Sequence, residues 1–311
     1  MLDVLVIGSG MTGIACARHL YAAGWDVVVL DKGRGIGGRM ATRRVEVNGQ
    51  TINFDHGAQF VTARDAGFKR ELSEIIDSAI VWADAGRPGA YAGVPGMSAI
   101  PKALAEGLTI YQSERVEILE NHDTYWLAKT EANTWRAKRV VMTVPFPQVA
   151  PIIGEDHPLC AKLTHLDFAP CMTLMAAFKL HAKIDKSTRL NEAGELSWIA
   201  YNSGKPKRED AVDAWLAQSS AEWSAERVNQ DKAKSEQEMQ MLLCEALSLE
   251  PADMLYSAFH SWLYARIVDP LGVPYLVDET QSLYVGGDWC LGTHVEAAWQ
   301  SGKAVAQALT A

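Results

Sequence analysis

The chain has 311 residues, enough for one large domain or two closely joined ones. Its 48% apolar and 22% charged residues suit a globular protein, and a formal net charge of −9 argues against nucleic acid, whose phosphates call for a basic face. The five cysteines (Cys16, Cys160, Cys171, Cys244, Cys290) form no C-x-x-C pair and the eight histidines no H-E-x-x-H, so neither a zinc site nor a disulfide framework is suggested and a reducing compartment is expected.

The apolar N-terminal stretch through residue 30 does not read as a leader. Its early charge is Asp3 rather than a basic residue, and Gly8, Gly10, Gly13, Arg18 and His19 interrupt it. No run approaches roughly 18 apolar residues, the length of a membrane span. A cytoplasmic protein with no membrane partner is expected.

Val4-Leu5-Val6-Ile7 is a short continuous apolar run, as for a strand buried on both faces of a parallel sheet. The turn Gly8-Ser9-Gly10-Met11-Thr12-Gly13 leads into a helix to about Ala23, and Gly24 suits a left-handed helix end. Val27-Val28-Val29-Leu30 is a second buried strand that Asp31 closes. Tyr111 to Leu119 reads as one strand with Val116 placed for adenine packing. Arg139 to Pro145, containing Thr143, is another. Between residues 150 and 279 the texture changes. Strand-like runs (Thr173–Leu180, Leu196–Tyr201, Ala214–Ser219) alternate with polar connections such as Asn202-Ser203-Gly204-Lys205-Pro206. The charged stretch Glu222 to Lys234 reads as solvated surface. After it, an amphipathic helix from about Ser235 to Leu249 carries Met239, Leu242, Leu243, Ala246 and Leu247 on one face. Ser282 to Val285 is a last strand before Gly286-Gly287-Asp288, and a helix is expected from about Val295 to Leu309.

The glycine turn has a chemical use. Gly8 permits the tight turn, Gly10 lets the backbone approach a pyrophosphate, and Gly13 lets helix and strand pack closely. The phosphate then faces the helix N-terminus, with Met11 and Thr12 in its first turn, and Asp31 reaches the ribose hydroxyls. Two further motifs favour FAD over NAD. The glycine- and arginine-rich loop from Lys32 through Gly38, Arg39 and Met40 can wrap a pyrophosphate with backbone donors and guanidinium forks. Gly287-Asp288, followed by Glu296-Ala297-Ala298 at a helix start, suits an aspartate on ribitol and a helix N-terminus at the flavin ring.

These segments, with Gly57-Ala58-Gln59-Phe60-Val61-Thr62-Ala63-Arg64-Asp65, Pro95 to Ile100, Trp262-Leu263-Tyr264-Ala265-Arg266 and Gly287-Asp288-Trp289-Cys290-Leu291, resemble the bacterial renalases of the amine-oxidase-like flavoprotein superfamily. The resemblance runs from residue 4 to residue 302. It implies an α/β, two-domain, p-hydroxybenzoate-hydroxylase-like fold: a Rossmann-type FAD-binding half with a parallel sheet, plus an inserted substrate half with a mixed or antiparallel sheet. The expected division gives 1–60, 95–150 and 280–311 to the first half, 61–94 and 151–279 to the second. FAD is expected to be noncovalent, with His56, Gly57, Ala58 and Gln59 beside it. The implied reaction takes hydride from isomeric dihydronicotinamide dinucleotides to flavin N5, with O2 reoxidation giving H2O2; a dihydropyridine that gains aromaticity needs no strong general base. Several positions depart from the bacterial pattern: Gln218 for histidine, Met172 for tryptophan, His56 for an apolar residue, His294 for arginine and Ala297 for glycine.

Trp262, Tyr264 and Arg266 alternate along a predicted strand, with His260 two residues earlier, so one face is expected to roof the flavin. His260, Trp262, Arg266 and Gln59 are the candidates for positioning substrate, with Arg266 answering its phosphate or carboxylate. Two alternatives stand beside this reading: a flavin amine oxidase on the same scaffold, although no lysine for flavin N5 or aromatic cage can be picked out, and a low-turnover FAD protein serving as redox sensor or assembly partner.

Overall fold

Val4, Leu5 and Val6 have no solvent exposure at all, and Ile7 only 5%, as the unbroken apolar run requires of a central strand. The computed structural model describes residues 1–311 apart from 84, 86, 192, 193 and 209. In chain order, β1 (Leu2–Ile7), α1 (Met11–Ala22) and β2 (Val27–Asp31) form the first parallel unit. A hairpin of β3 (Thr42–Val47) and β4 (Gln50–Asp55) follows. β5 (Thr109–Gln112) adds in parallel to β2, and β6 (Thr134–Met142) to the other side of β1. Then come β7 (Phe168–Phe178), β8 (Leu196–Tyr201), β9 (Asp213–Ser219), α2 (Lys232–Leu247) and β10 (Met254–Ile267). β11 (Leu283–Val285) returns to pair in parallel with β6, and α3 (Val295–Thr310) closes the chain.

The larger sheet runs β11-β6-β1-β2-β5, with Leu276–Val277 antiparallel at the β11 edge and two short strands hung from β6. Its residues alternate between two cores. Val4, Val6, Val27 and Val29 pack under α1 and α3, while Leu5, Ile7, Val28 and Leu30 face the segment around Leu159 to Phe168 and Trp289. The smaller sheet is antiparallel, in the order Arg189–Leu190, β8, β9, β7, β10, with α2 packed on one face and the β3–β4 hairpin on the other. This is the α/β arrangement the sequence predicts.

Local differences have local causes. Tyr111–Leu119 is not one strand: Ser113 takes a left-handed φ of 59°, its amide and that of Glu114 turn back to the carbonyls of Gly33 and Asp31, and a separate strand starts at Ile118. The amphipathic helix begins at Lys232 rather than Ser235, because the Asp231 carboxylate caps the amides of Ala233 and Lys234. Ser248, left-handed at φ 54°, ends it. The charged stretch after residue 221 includes a short helix, Ala221–Glu226, that buries Trp223.

Candidate active site

At the first turn, no side chain caps the N-terminus of α1, and a Cβ placed on Gly10 would meet nothing within 4 Å. That open cradle in front of a 12-residue helix has the shape and donor chemistry a pyrophosphate needs. Thr143 buttresses the turn from below, its Oγ1 donating to the carbonyls of Ile7 and Gly8 at 3.0 Å each. The Asp31 carboxylate accepts from the Ser9 amide (2.6 Å) and hydroxyl (2.7 Å) and from the Gly33 amide (2.6 Å), which fixes it at the mouth of the turn. Gly37 donates its amide to the Ser9 carbonyl, so the second glycine loop lies on the first, and Gly38 faces the Cα of Gly10. Met11, Thr12 and Met40 are buried behind these turns, and Val116 lies in the core beside β2. Lys32 donates to Gln148 (2.8 Å) rather than reaching into the cradle.

Arg39 ties distant segments together. Its guanidinium pairs with Asp288 at 2.6 Å and donates to the carbonyls of Tyr264 and Ala265, closing the free edge of β10. Its own carbonyl accepts from the Ala58 amide. Gly57 is squeezed between that carbonyl and the indole of Trp262, leaving no room for a Cβ. Asp288, after Gly287, is buried, as are Ala297 and Ala298 in the first turn of α3. The Glu296 carboxylate accepts from the amides of Arg64 and Asp65 at 2.6 Å each, so it holds the 64–65 loop. His294 is the N-cap residue of α3, and its side chain makes no capping bond. Cys290 has no solvent exposure and its thiol is pushed up to about 12, chiefly by burial, which suppresses the thiolate a covalent tether would need.

Three rings meet where β4 runs out beside β10. His56 lies edge-on to His260 at 5.0 Å and stacks with Trp262 at 5.4 Å, while His260 and Trp262 are 4.3 Å apart. The Trp262 Nε1–H donates to the His56 carbonyl at 2.7 Å. His56 is 7% exposed and its Nδ1 has no partner. Burial first, then the Arg43 charge, lowers its pKa; burial, His56, Arg43 and Lys232 bring His260 down to about 4. Both imidazoles are therefore neutral at neutral pH. Gln218 donates to the Gly57 carbonyl at 2.9 Å, holding the same loop from β9, whereas Met172 lies in the core under α2.

The other two positioning candidates lie elsewhere. The Gln59 amide donates to the backbone carbonyls of Asp55 and Gly57 and accepts from Lys205, inside a buried polar network. Arg266 is exposed, and an irregularity in the β7–β10 pairing separates it from Trp262. Sequence reading missed the hub of that network. Asp55 has no exposure and accepts from Thr42 Oγ1 (2.7 Å), the Met97 amide (2.7 Å), Lys205 (2.9 Å) and Arg208 (2.5 Å). Burial pushes its pKa up, but the Lys205 and Arg208 charges outweigh that and hold it down at about 2. Lys205, also fully buried at its ammonium, spans to the Gln59 carbonyl and lies over the Trp82 ring. In the sequence, Lys205 and Arg208 sit in a short polar connection with nothing to distinguish them from solvated loop residues.

Comparison with known proteins agrees with this geometry. The profile of NAD(P)-binding Rossmann-like domains matches residues 6–77, and that of flavin containing amine oxidoreductases matches residues 65–310. The chain belongs to the flavin containing amine oxidoreductase family, and it is an FAD-dependent oxidoreductase. Cyclohexylamine oxidase from Brevibacterium oxydans IH-35A superposes with a TM-score of 0.72, at 13% identity, covering 99% of this chain and 98% of that one. Wild-type putrescine oxidase bound to putrescine gives 0.67 at 14% identity, covering 99% of each chain. At such identities the likeness is one of fold. A rice (Oryza sativa subsp. indica) lysine-specific histone demethylase 1 homolog 3 is 41% identical over 59 residues, 19% of this chain and 7% of that protein. Among the described residues no helix is long and apolar enough to cross a membrane, and no group of histidine, cysteine and acidic side chains could hold a metal ion.

Proposed function

We propose that this protein is a renalase-like oxidase of reduced pyridine nucleotides or their isomers, with O2 as the electron acceptor. Bound FAD supplies the two-electron acceptor, which O2 returns to its oxidised form with release of H2O2. The glycine turns, Asp31 and Asp288 hold the cofactor in this reading, residues 1–60, 95–150 and 280–311 form its binding half, and residues 61–94 and 151–279 form the half that caps it. Trp262, His56 and His260 offer flat, neutral surfaces on which a dihydronicotinamide ring can lie, and they exclude water from it.

The observation that carries the substrate class is the sign of the charge around the rings. The charges acting on His260 are all positive: Arg43, Lys232 and any proton on His56. Asp55, the acid adjoining the cluster, opposes Arg43 at His56 as the weaker of the two, and its carboxylate is already held by two cations and two further donors. An ammonium substrate would enter a cationic field, whereas a dihydronicotinamide head is neutral and its phosphates are anionic.

The second reading, an amine oxidase, is favoured by the family match over residues 65–310 and by the amine oxidases that share the fold. Anaerobic mixing of the FAD-loaded protein with isomeric dihydronicotinamide dinucleotide, ordinary NADH and simple amines, followed by flavin absorbance, separates the two. Rapid bleaching by the isomers supports the first reading. Bleaching by amines alone overturns it in favour of the second, and no bleaching by any of them points to a low-turnover redox sensor or assembly protein.

A further inference from the structure

In β3, Arg43, Val45 and Val47 share the inward face, while Arg44 and Glu46 are exposed. Val45 and Val47 pack with Ile52 and Phe54 against β7, β9 and β10. Arg43 lies opposite Phe54 in the hairpin register, and Phe54 stacks on Tyr256 of β10 at 6.0 Å. His56 lies two residues beyond Phe54 and His260 four beyond Tyr256, and the two rings meet at 5.0 Å. Arg43 therefore stands where the apolar packing of the hairpin gives way to the imidazole–indole cluster, half-buried and turned inward. Its charge is felt by both imidazoles.

Yet the Arg43 guanidinium has no ion pair or hydrogen bond with any described residue. Three other partly buried arginines hold acids, Arg39 with Asp288, Arg208 with Asp55 and Arg227 with Glu238, and Arg139 lies over the Trp25 ring. The acid nearest along the hairpin, Asp55, already has four donors. A half-buried guanidinium with no protein partner keeps its donors free for an arriving anion, and its planar fork matches phosphate oxygens.

We propose that Arg43 forms an anion subsite at the rim of the His56–His260–Trp262 cluster, which receives the phosphates of the nucleotide substrate. The assignment rests on the pyridine-nucleotide reading above, and gives Arg43 the role that the sequence pattern suggested for Arg266.

The test uses FAD-loaded wild type, Arg43→Met and, as a control on the exposed face of the same strand, Arg44→Met. Calorimetric titration with inorganic pyrophosphate measures the subsite directly. Anaerobic bleaching compares an isomeric dihydronicotinamide dinucleotide with a phosphate-free N-benzyl dihydronicotinamide. The expected result is that Arg43→Met weakens pyrophosphate binding and raises half-saturation by the dinucleotide by about tenfold or more. Half-saturation by the phosphate-free compound should stay within about twofold, and Arg44→Met should change neither. Equal losses for both reductants, or unchanged pyrophosphate affinity in Arg43→Met, would overturn the subsite. If no dihydronicotinamide bleaches the wild type, the parent reading fails, and the pyrophosphate titration still decides the subsite alone.

Discussion

Asp55 and His56 are neighbours in the chain and opposites in environment. Asp55 turns toward the loop from Asn202 to Arg208, where Lys205 and Arg208 compensate its charge in full burial, with Thr42 and the Met97 amide as further donors. His56 turns the other way, onto His260 and Trp262, with an unpartnered Nδ1. Charge is balanced on one side of the strand end so that the other side can be aromatic, neutral and close to positive groups. Lys205 and Gln218 hold the backbone of residues 57–59 from two different directions. The loop that carries the His56 ring is anchored by a buried ion cluster.

The largest effect should come from removing the anchor. Asp55→Ala leaves Lys205 and Arg208 buried without their counter-ion and should cost roughly 3–5 kcal/mol in urea unfolding. A loss no bigger than that of an exposed substitution would break the contrast between the two sides. The same carboxylate predicts an acid limit. Its folded pKa, about 2, lies below the ordinary value of 3.8, so its stabilisation is complete above that value and is lost as pH falls from about 4 toward 2. Wild-type stability should therefore drop over that window, and the drop should be smaller in Asp55→Ala. On the aromatic side, Trp262→Ala removes the bond to the His56 carbonyl and two ring contacts. Half-saturation by the substrate should rise roughly tenfold, read in anaerobic bleaching.

His260 sharpens the comparison by pH. Because its folded pKa is lowered to about 4, protonation opposes the native arrangement, and the stability tied to the neutral ring is kept above its unfolded value near 6.5 and lost as pH falls toward 4. Flavin reduction by the folded protein should be level from pH 8 down to about 5 and decline only toward 4, where the ring takes up its proton; a decline already complete at pH 6 would contradict so low a pKa. The smallest effect is expected at Gln218. Gln218→Ala frees the Gly57 carbonyl and should cost about 1 kcal/mol in stability, with a few-fold rise in half-saturation. An unchanged half-saturation would separate β9 from the positioning of the loop.

Much of the cofactor half could be read because its signals are contiguous. A buried strand, a glycine turn, a helix and a second strand ending in Asp31 follow within one short segment, and each expectation there concerns near neighbours. The β10 strand was readable from its alternation, and His260 and Trp262 do lie side by side. The alternation did not extend to Arg266, because the pairing with β7 shifts between Trp262 and that residue. Gln59 was singled out for its place in a motif, but its amide is directed into the polar network by Lys205, whose loop lies 146 residues away.

By itself the sequence determined the α/β class, the nucleotide turn and the strand that carries the rings, since periodicity and glycine placement act over a few residues at a time. Only the tertiary structure decided which charges are cancelled. Asp55 meets Lys205 across 150 residues, Arg39 meets Asp288 across 249, and Arg43 meets no acid among the described residues. Charge compensation depends on distance in space and on the local exclusion of water, and neither is written in the order of the residues.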